Sequence, residues 1–174
     1  MSWIVTIFSL GAVLKELRRE GWVRRGVKEP ESVADHSYNL ALLSMLLAAE
    51  RGLDPFKTAA IAIIHDLAEA LTGDIPPGEK RSNKNYVEAE KEAMRKIVEK
   101  VPAKIGSLIL QLYNEYLSQS SEEARLVKQL DKLEMVLQAT AYEREGRAAE
   151  GLAEEFTKSA LQEISDPSLR SLLS

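Results

Sequence analysis

Apolar residues along this 174-residue chain recur at steps of three and four, and nowhere do they alternate with polar residues over a useful length. The first such run places Trp3, Ile7, Leu10, Leu14 and Leu17 on one face. That spacing is typical of an amphipathic helix, whereas a half-buried strand has a period of two. The sequence therefore predicts an all-α fold, a bundle of helices whose apolar faces meet in one core.

Turn and capping residues divide the bundle into helices. Asp54 is a good N-cap, Pro55 suits the first helical position, and Gly73 follows the end of the same pattern. Glycines and prolines predict loops over residues 21–34 and 72–83. The other helices are predicted over residues 35–51, 85–101, 102–117, 120–145 (from a Ser120–Glu123 capping box) and 153–164, with a short turn after Pro167.

Charge and cysteine content narrow the class of function. The net charge of −4 argues against binding a nucleic-acid polymer, but not against a small anionic substrate. The absence of cysteine excludes disulfides and thiolate chemistry, and it fits a reducing, cytoplasmic location. The apolar N-terminus lacks a preceding positive charge and is too short to span a bilayer, so we expect neither a signal peptide nor a membrane association.

The chain has only two histidines, and both fall in helical patterns. His36 follows an aspartate at the start of the second helix, and His65 is followed directly by Asp66 deep in the third. An isolated buried histidine is usually a satisfied core residue. An ionised carboxylate beside it is costly to bury unless a cation or several donors meet it, and Glu69 adds a second acid to that side.

Asp131 is another carboxylate in an apolar pattern. It lies on the long helix, where Val127 and Met135 flank it one turn away. Taken alone, it could be an aspartate at the edge of the core that is paired with a lysine. Taken with the histidines, it completes a mixed nitrogen and oxygen donor set that suits a divalent ion such as manganese, cobalt, magnesium or iron. A zinc site built from histidine alone is excluded, because there are too few histidines.

The order of His36, His65-Asp66 and Asp131 resembles the H…HD…D signature of the HD-domain superfamily. The segments GWVRRGVKEPESVADHSYNLAL, HDLAEALTGDIPP and SSEEARLVKQLDKLEMVLQATAYE resemble the HD-domain 5′-deoxynucleotidases over about residues 14–145. The resemblance implies one HD-type phosphohydrolase domain over residues 1–174, with that region as its core and residues 146–174 as a helical tail.

The resemblance also implies roles for individual residues. The metal ligands would be His36, His65, Asp66 and Asp131. Glu69 would be the general acid/base, and Asp74 would help to position the substrate or the nucleophile. Trp22 would meet the sugar, and Arg25 is the preferred phosphate contact among Arg18, Arg19, Arg24 and Arg25. In some relatives a second ion is held by the residues that match Glu69, Asp74 and the carbonyl of Ile75.

The function implied is hydrolysis of deoxyribonucleoside 5′-monophosphates to nucleoside and phosphate, with a nucleotide as the small-molecule partner. The rivals within the superfamily are a phosphodiesterase and a deoxynucleoside triphosphatase. A non-catalytic helical module that binds a metal or a nucleotide is the rival of another class, and Glu69 with Asp74 argues against it because a structural site needs no extra acids. Apolar faces on the first helix and the tail predict a homodimer.

Overall fold

The computed structural model describes residues 2–76 and 84–173, and within them the chain is helical without any β-strand longer than a single bridge between Arg18 and Ser32. The prediction of an all-α fold is confirmed. The helices described are α1 (Ser2–Glu16), α2 (Glu20–Val23), α3 (Val33–Glu50), α4 (Pro55–Ile64), α5 (Glu69–Thr72), α6 (Lys84–Val98), α7 (Ala103–Ser118), α8 (Glu122–Arg144), α9 (Leu152–Glu163) and α10 (Pro167–Ser171).

The apolar face of α1 packs into the core, as its spacing predicts. Leu10 and Leu14 are buried, and Trp3, Ile7 and Leu17 pack against the same cluster. None of the helices in the described ranges is both long and apolar enough to cross a bilayer.

A capping box starts α3 and sets the position of His36 in its first turn. The Ser32 hydroxyl accepts a hydrogen bond from the backbone N–H of Asp35, whose carboxylate accepts one from the N–H of Ser32. The helix consequently begins two residues before the predicted start at residue 35. The predicted loop over residues 21–34 is also wrong at its beginning, because the one-turn helix α2 carries Trp22 into the core.

The single helix predicted between Asp54 and Gly73 is divided into two. Asp54 caps α4 and Pro55 occupies its first turn, as predicted, but α4 ends at Ile64. The imidazole of His65 hydrogen-bonds the carbonyl of Ala62, which in a regular helix accepts from the residue four positions later. A turn then holds His65 and Asp66 before α5, and Gly73 ends α5 with a φ of 81°.

The N-cap of the long helix α8 lies one residue later than the sequence pattern predicts. Its N-cap is Ser121, whose hydroxyl accepts a hydrogen bond of 3.1 Å from the N–H of Ala124. The predicted capping box of Ser120 and Glu123 is therefore wrong. The Glu123 carboxylate instead accepts a hydrogen bond of 3.3 Å from the ammonium of Lys57 on α4.

The remaining boundaries differ from the predicted ones by a few residues. α6 ends at Val98 and not at residue 101, and a turn over residues 99–101 leads to Pro102, the N-cap of α7. Most of the predicted loop over residues 72–83 lies outside the described residues. The segment predicted as a tail contributes Ala160, Ile164 and Leu169 to the cluster around α8.

Ser120 and Ser121, which precede α8, provide a test of the assignment of Ser121 as its N-cap. Replacing Ser121 with alanine removes the acceptor for the Ala124 N–H, and we expect a loss of about 1 kcal/mol in the free energy of unfolding. Ser120→Ala is the matched control and should change it by less than about 0.5 kcal/mol. Urea unfolding followed by circular dichroism measures both; equal losses, or a larger loss for Ser120→Ala, would contradict the assignment.

Candidate metal centre

Three helical segments bring His36, His65 and Asp131 together in the interior. One ligand atom from each residue lies within 4.8 Å of the corresponding atoms of the other two. His36 is in the first turn of α3, His65 follows α4, and Asp131 is in the middle of α8. All three side chains are buried, so this cluster of polar atoms is removed from bulk water.

Glu134 orients the ring of His36. Its carboxylate lies 2.7 Å from Nδ1 of His36, and since a carboxylate only accepts hydrogen bonds, Nδ1 is assigned as the protonated nitrogen. Nε2 is then the nitrogen that a metal ion could bind in place of a proton. It lies 3.4 Å from Oδ1 of Asp131 and has no hydrogen-bond partner among the described residues. A buried, oriented and unsatisfied imidazole nitrogen is what a metal ligand requires.

The ring of His65 is oriented in the same sense by the backbone. Its Nδ1 lies 2.6 Å from the carbonyl of Ala62, which can only accept, so Nδ1 is assigned as the donor and Nε2 is the ring nitrogen that could bind a metal ion. That Nε2 lies 2.9 Å from Oδ2 of Asp66. The break after α4 thus orients the ring of His65 and brings the neighbouring carboxylate beside its Nε2.

Asp66, the fourth predicted ligand, is at the edge of the cluster. Besides His65, its carboxylate contacts the guanidinium of Arg19 at 3.2 Å. Asp66 is not within the group of three whose ligand atoms all approach one another within 4.8 Å.

Arg19 connects the predicted ligand Asp66 with the predicted substrate residue Asp74. Its guanidinium is buried and lies 3.7 Å from Oδ1 of Asp74, whose other oxygen accepts a hydrogen bond from the N–H of Glu20. Burial lowers the pKa of Arg19, but Asp66, Asp74 and Glu69 outweigh it and raise the pKa above its usual value. Arg19 therefore keeps a full positive charge beside the centre.

Asp131 has the lysine partner that an ordinary core-edge aspartate would have, and it also faces the histidines. Lys132 lies 2.9 Å from its Oδ2, and the Tyr116 hydroxyl donates to the same oxygen at 3.3 Å. Burial alone would raise the pKa of Asp131. Lys132 and His36 lower it by more than burial raises it, so the pKa of Asp131 lies well below the usual range. The carboxylate is ionised and could accept a cation.

The charges around His36 favour a cation at this point. Burial and Arg19 lower the pKa of His36, but Glu134 and Asp131 outweigh them and raise it to about 10. The buried carboxylates that attract a proton to this imidazole would equally attract a metal ion, which competes with the proton for the same nitrogen. Two imidazoles and carboxylate oxygens together suit a divalent ion.

A cavity of about 720 Å³ opens over the centre and contains most of the other predicted site residues. His65, Asp66, Asp74, Ile75 and Asp131 line it. Glu69 is the first residue of α5 and is 2% exposed.

The predicted sugar and phosphate contacts lie on the wall of the cavity that α9 completes. Trp22 is buried, donates from Nε1 to Glu31 at 2.9 Å, and packs on Phe156 with ring centroids 4.4 Å apart. Arg25 forms an ion pair with Glu155 and lies over the Phe156 ring, 4.9 Å from its centroid. The guanidinium of Arg25 is therefore held at this wall, while Arg19 is the arginine at the metal end.

Two residues of the site, Glu134 and Phe156, are not predicted from the sequence, and Arg19 is a candidate there but not the preferred one. Glu134 lies one helical turn after Asp131, and that spacing on a buried stripe could have indicated it. Arg19 stands within a run of basic residues with no signal to separate it from its neighbours. Phe156 is on a helix that the sequence pattern assigned to a tail.

The fold and this centre define a class of protein: an all-helical protein with a buried histidine and carboxylate site suited to a divalent metal ion. The chain belongs to the HD domain family, whose model matches residues 12–171. The resemblance to HD-domain phosphohydrolases is confirmed.

Several relatives are similar over most of their length. "5′-deoxynucleotidase HDDC2" of Mus musculus is 38% identical over 161 residues, which cover 92% of this chain and 80% of the relative. "5′-deoxynucleotidase hdd1" of Schizosaccharomyces pombe is 37% identical over 145 residues, covering 81% and 73%. The crystal structure of the PH0347 protein from Pyrococcus horikoshii is similar with a TM-score of 0.78 at 34% identity, covering 97% of this chain and 95% of that one.

The role of Glu134 as the orienting partner of His36 can be tested by metal binding. Glu134→Gln removes the charge that holds Nδ1–H, and we expect divalent-metal affinity to fall by about 10- to 100-fold. Titration of metal-stripped protein with Mn²⁺ measures it. Glu122→Gln, an exposed glutamate on the same helix, is the control and should bind as the wild type does. Unchanged affinity in Glu134→Gln would contradict the role.

Proposed function

We propose that the chain is a metal-dependent phosphohydrolase that converts deoxyribonucleoside 5′-monophosphates to deoxynucleoside and phosphate. The observation that carries the proposal is the buried Nε2 of His36, which has no hydrogen-bond partner among the described residues and faces Asp131 beside His65. The mouse and fission-yeast relatives, both named as 5′-deoxynucleotidases, support this substrate class.

In this proposal His36, His65 and Asp131 hold one divalent ion, and Asp66 joins them as the fourth ligand. When bound, the ion would activate water and neutralise charge on the phosphoryl oxygens. A second ion at Glu69, Asp74 and the Ile75 carbonyl would have to compete with the Arg19 guanidinium, which is 3.7 Å from Asp74. We therefore favour a single ion.

Arg19 is the arginine that we assign to the phosphate in place of Arg25. Its charge is fixed beside Asp66 at the metal end of the cavity, whereas Arg25 is paired with Glu155. A guanidinium that is already oriented by carboxylates needs little further ordering to donate hydrogen bonds to phosphate oxygens. Phosphoryl transfer depends mainly on such positioning and on electrostatic stabilisation.

Glu69 is the residue we assign to proton transfer. It would accept the proton of the attacking water as the P–O bond forms, and return that proton to the 5′-oxygen of the leaving nucleoside. Glu69 follows the turn that holds His65 and Asp66, and its side chain is buried beside the centre, which suits a group that transfers a proton there. Asp74, held by Arg19 and by the N–H of Glu20, would position the substrate, and Trp22 would meet the deoxyribose.

We also propose that the protein forms a homodimer and works in the cytoplasm. Val5 and Phe8 on α1 are 65% and 71% exposed, which is unusual for apolar side chains on a helix that also packs into the core. The cytoplasmic assignment rests on the lack of cysteine in the sequence.

Phosphate release from a panel of substrates tests the reaction. Metal-stripped protein is supplied with Mn²⁺, Co²⁺ or Mg²⁺ and offered deoxy- and ribonucleoside 5′-monophosphates, deoxynucleoside triphosphates and cyclic dinucleotides. We expect metal-dependent release of phosphate, with the deoxyribonucleoside monophosphates turned over fastest. Turnover of triphosphates or cyclic dinucleotides alone would contradict the substrate class, and no turnover of any of them would favour the non-catalytic module.

Glu69→Gln separates proton transfer from metal binding. We expect metal content equal to that of the wild type and a kcat lower by about 100-fold or more, the usual contribution of a general acid/base. Glu92→Gln, an exposed glutamate on α6 that pairs with Arg95, is the control. Full turnover in Glu69→Gln would refute the assignment.

A further inference from the structure

Lys128 lies one helical turn before Asp131 on α8 and lines the same cavity. Residues three apart on a helix share a face, so the ammonium of Lys128 and the carboxylate of Asp131 are directed to the same side. Lys128 is half-buried and belongs neither to the metal cluster nor to the residues that the family resemblance implies.

The other cations that line the cavity all have a carboxylate partner. Arg19 is paired with Asp66, Arg24 with Glu20, Arg25 with Glu155, and Lys132 with Asp131. In the part of the chain that the structure describes, Lys128 is the cavity-lining cation without an ion pair. Its positive charge is thus the one at this wall that no neighbouring carboxylate neutralises by direct contact.

Tyr116 holds the ammonium of Lys128 at the wall. Nζ donates a hydrogen bond of 3.1 Å to the Tyr116 hydroxyl and lies 4.6 Å from the centroid of the Tyr116 ring. The same ring contacts the imidazole of His65 with centroids 5.1 Å apart. An ammonium carries three donors, and Tyr116 accepts only one of them. The side chain is therefore anchored near the centre with donors left for a ligand.

The ammonium of Lys128 has too little negative charge around it to balance its burial. Burial and the neighbouring Lys132 lower its pKa, and Asp131, Asp66 and Glu163 oppose them at longer range without restoring the usual value. A dianionic ligand in the cavity would supply both the missing negative charge and the missing acceptors.

We propose that Lys128 is a phosphate-binding residue. It binds the phosphoryl group of the substrate from α8, while Arg19 binds the same group from its position beside Asp66. This inference rests on the proposed function, because the phosphoryl group belongs to a nucleoside 5′-monophosphate. A lysine binds phosphate as a point charge with rotatable donors, which suits contact with more than one phosphoryl oxygen.

Separate binding of the two products of the proposed reaction, phosphate and a deoxynucleoside, tests the inference. Calorimetric titration of Mn²⁺-loaded protein with inorganic phosphate and with deoxyadenosine compares the wild type with Lys128→Met and Lys128→Arg. We expect Lys128→Met to weaken phosphate binding by about 10- to 100-fold, the range for a hydrogen bond to a charged group, and to leave deoxyadenosine binding within twofold. Lys128→Arg should recover part of the phosphate affinity.

Lys158→Met is the matched control, because Lys158 is an exposed lysine on α9 that pairs with Glu154 and does not line the cavity. If Lys128→Met lowers the melting temperature, Lys128→Gln keeps a polar head and takes its place. Unchanged phosphate affinity, or an equal loss for phosphate and deoxyadenosine, would overturn the inference. These titrations involve no turnover. They can therefore contradict the role of Lys128 while the nucleotidase assay supports the proposed function, or support that role while the assay contradicts the function.

Discussion

The Nε2 atom of His36 is enclosed by the protein and makes no hydrogen bond among the described residues, although a buried polar atom without a partner is destabilising by about 1–3 kcal/mol. Glu134 determines that this nitrogen, and not Nδ1, faces Asp131. Asp131 and His65 approach it closely enough for one ion to contact all three. The arrangement is costly without a cation and favourable with one.

Local structure positions each residue of this cluster. The capping box at Ser32 starts α3 so that His36 falls in the first turn, facing the interior. The carbonyl of Ala62 accepts the hydrogen bond of His65 Nδ1 where α4 ends, and this orients the ring so that Nε2 lies beside Asp66. The long helix α8 then supplies the ligand Asp131 and the two lysines to the cavity, and it also supplies Glu134, the partner of His36.

Much of the fold could be predicted from the sequence, because the helical period and the caps at Asp54 and Gly73 are local signals. The break after Ile64 could not, since it depends on a side chain bonding back to the helix. The cap of α8 was placed one residue early because Ser120 and Ser121 are both good caps, and the contact of Glu123 with Lys57 comes from tertiary structure. The chemistry-bearing residue types at His36, His65 and Asp131 are visible in the sequence, but the contacts that orient the two imidazoles form only in the folded structure.

Anomalous scattering from crystals of the Mn²⁺-loaded protein tests the central claim most directly. A peak at the manganese absorption edge should appear between Nε2 of His36, Nε2 of His65 and the carboxylate of Asp131, with about one ion per chain. No peak there in metal-saturated crystals, or a peak that contacts neither imidazole, would contradict the account.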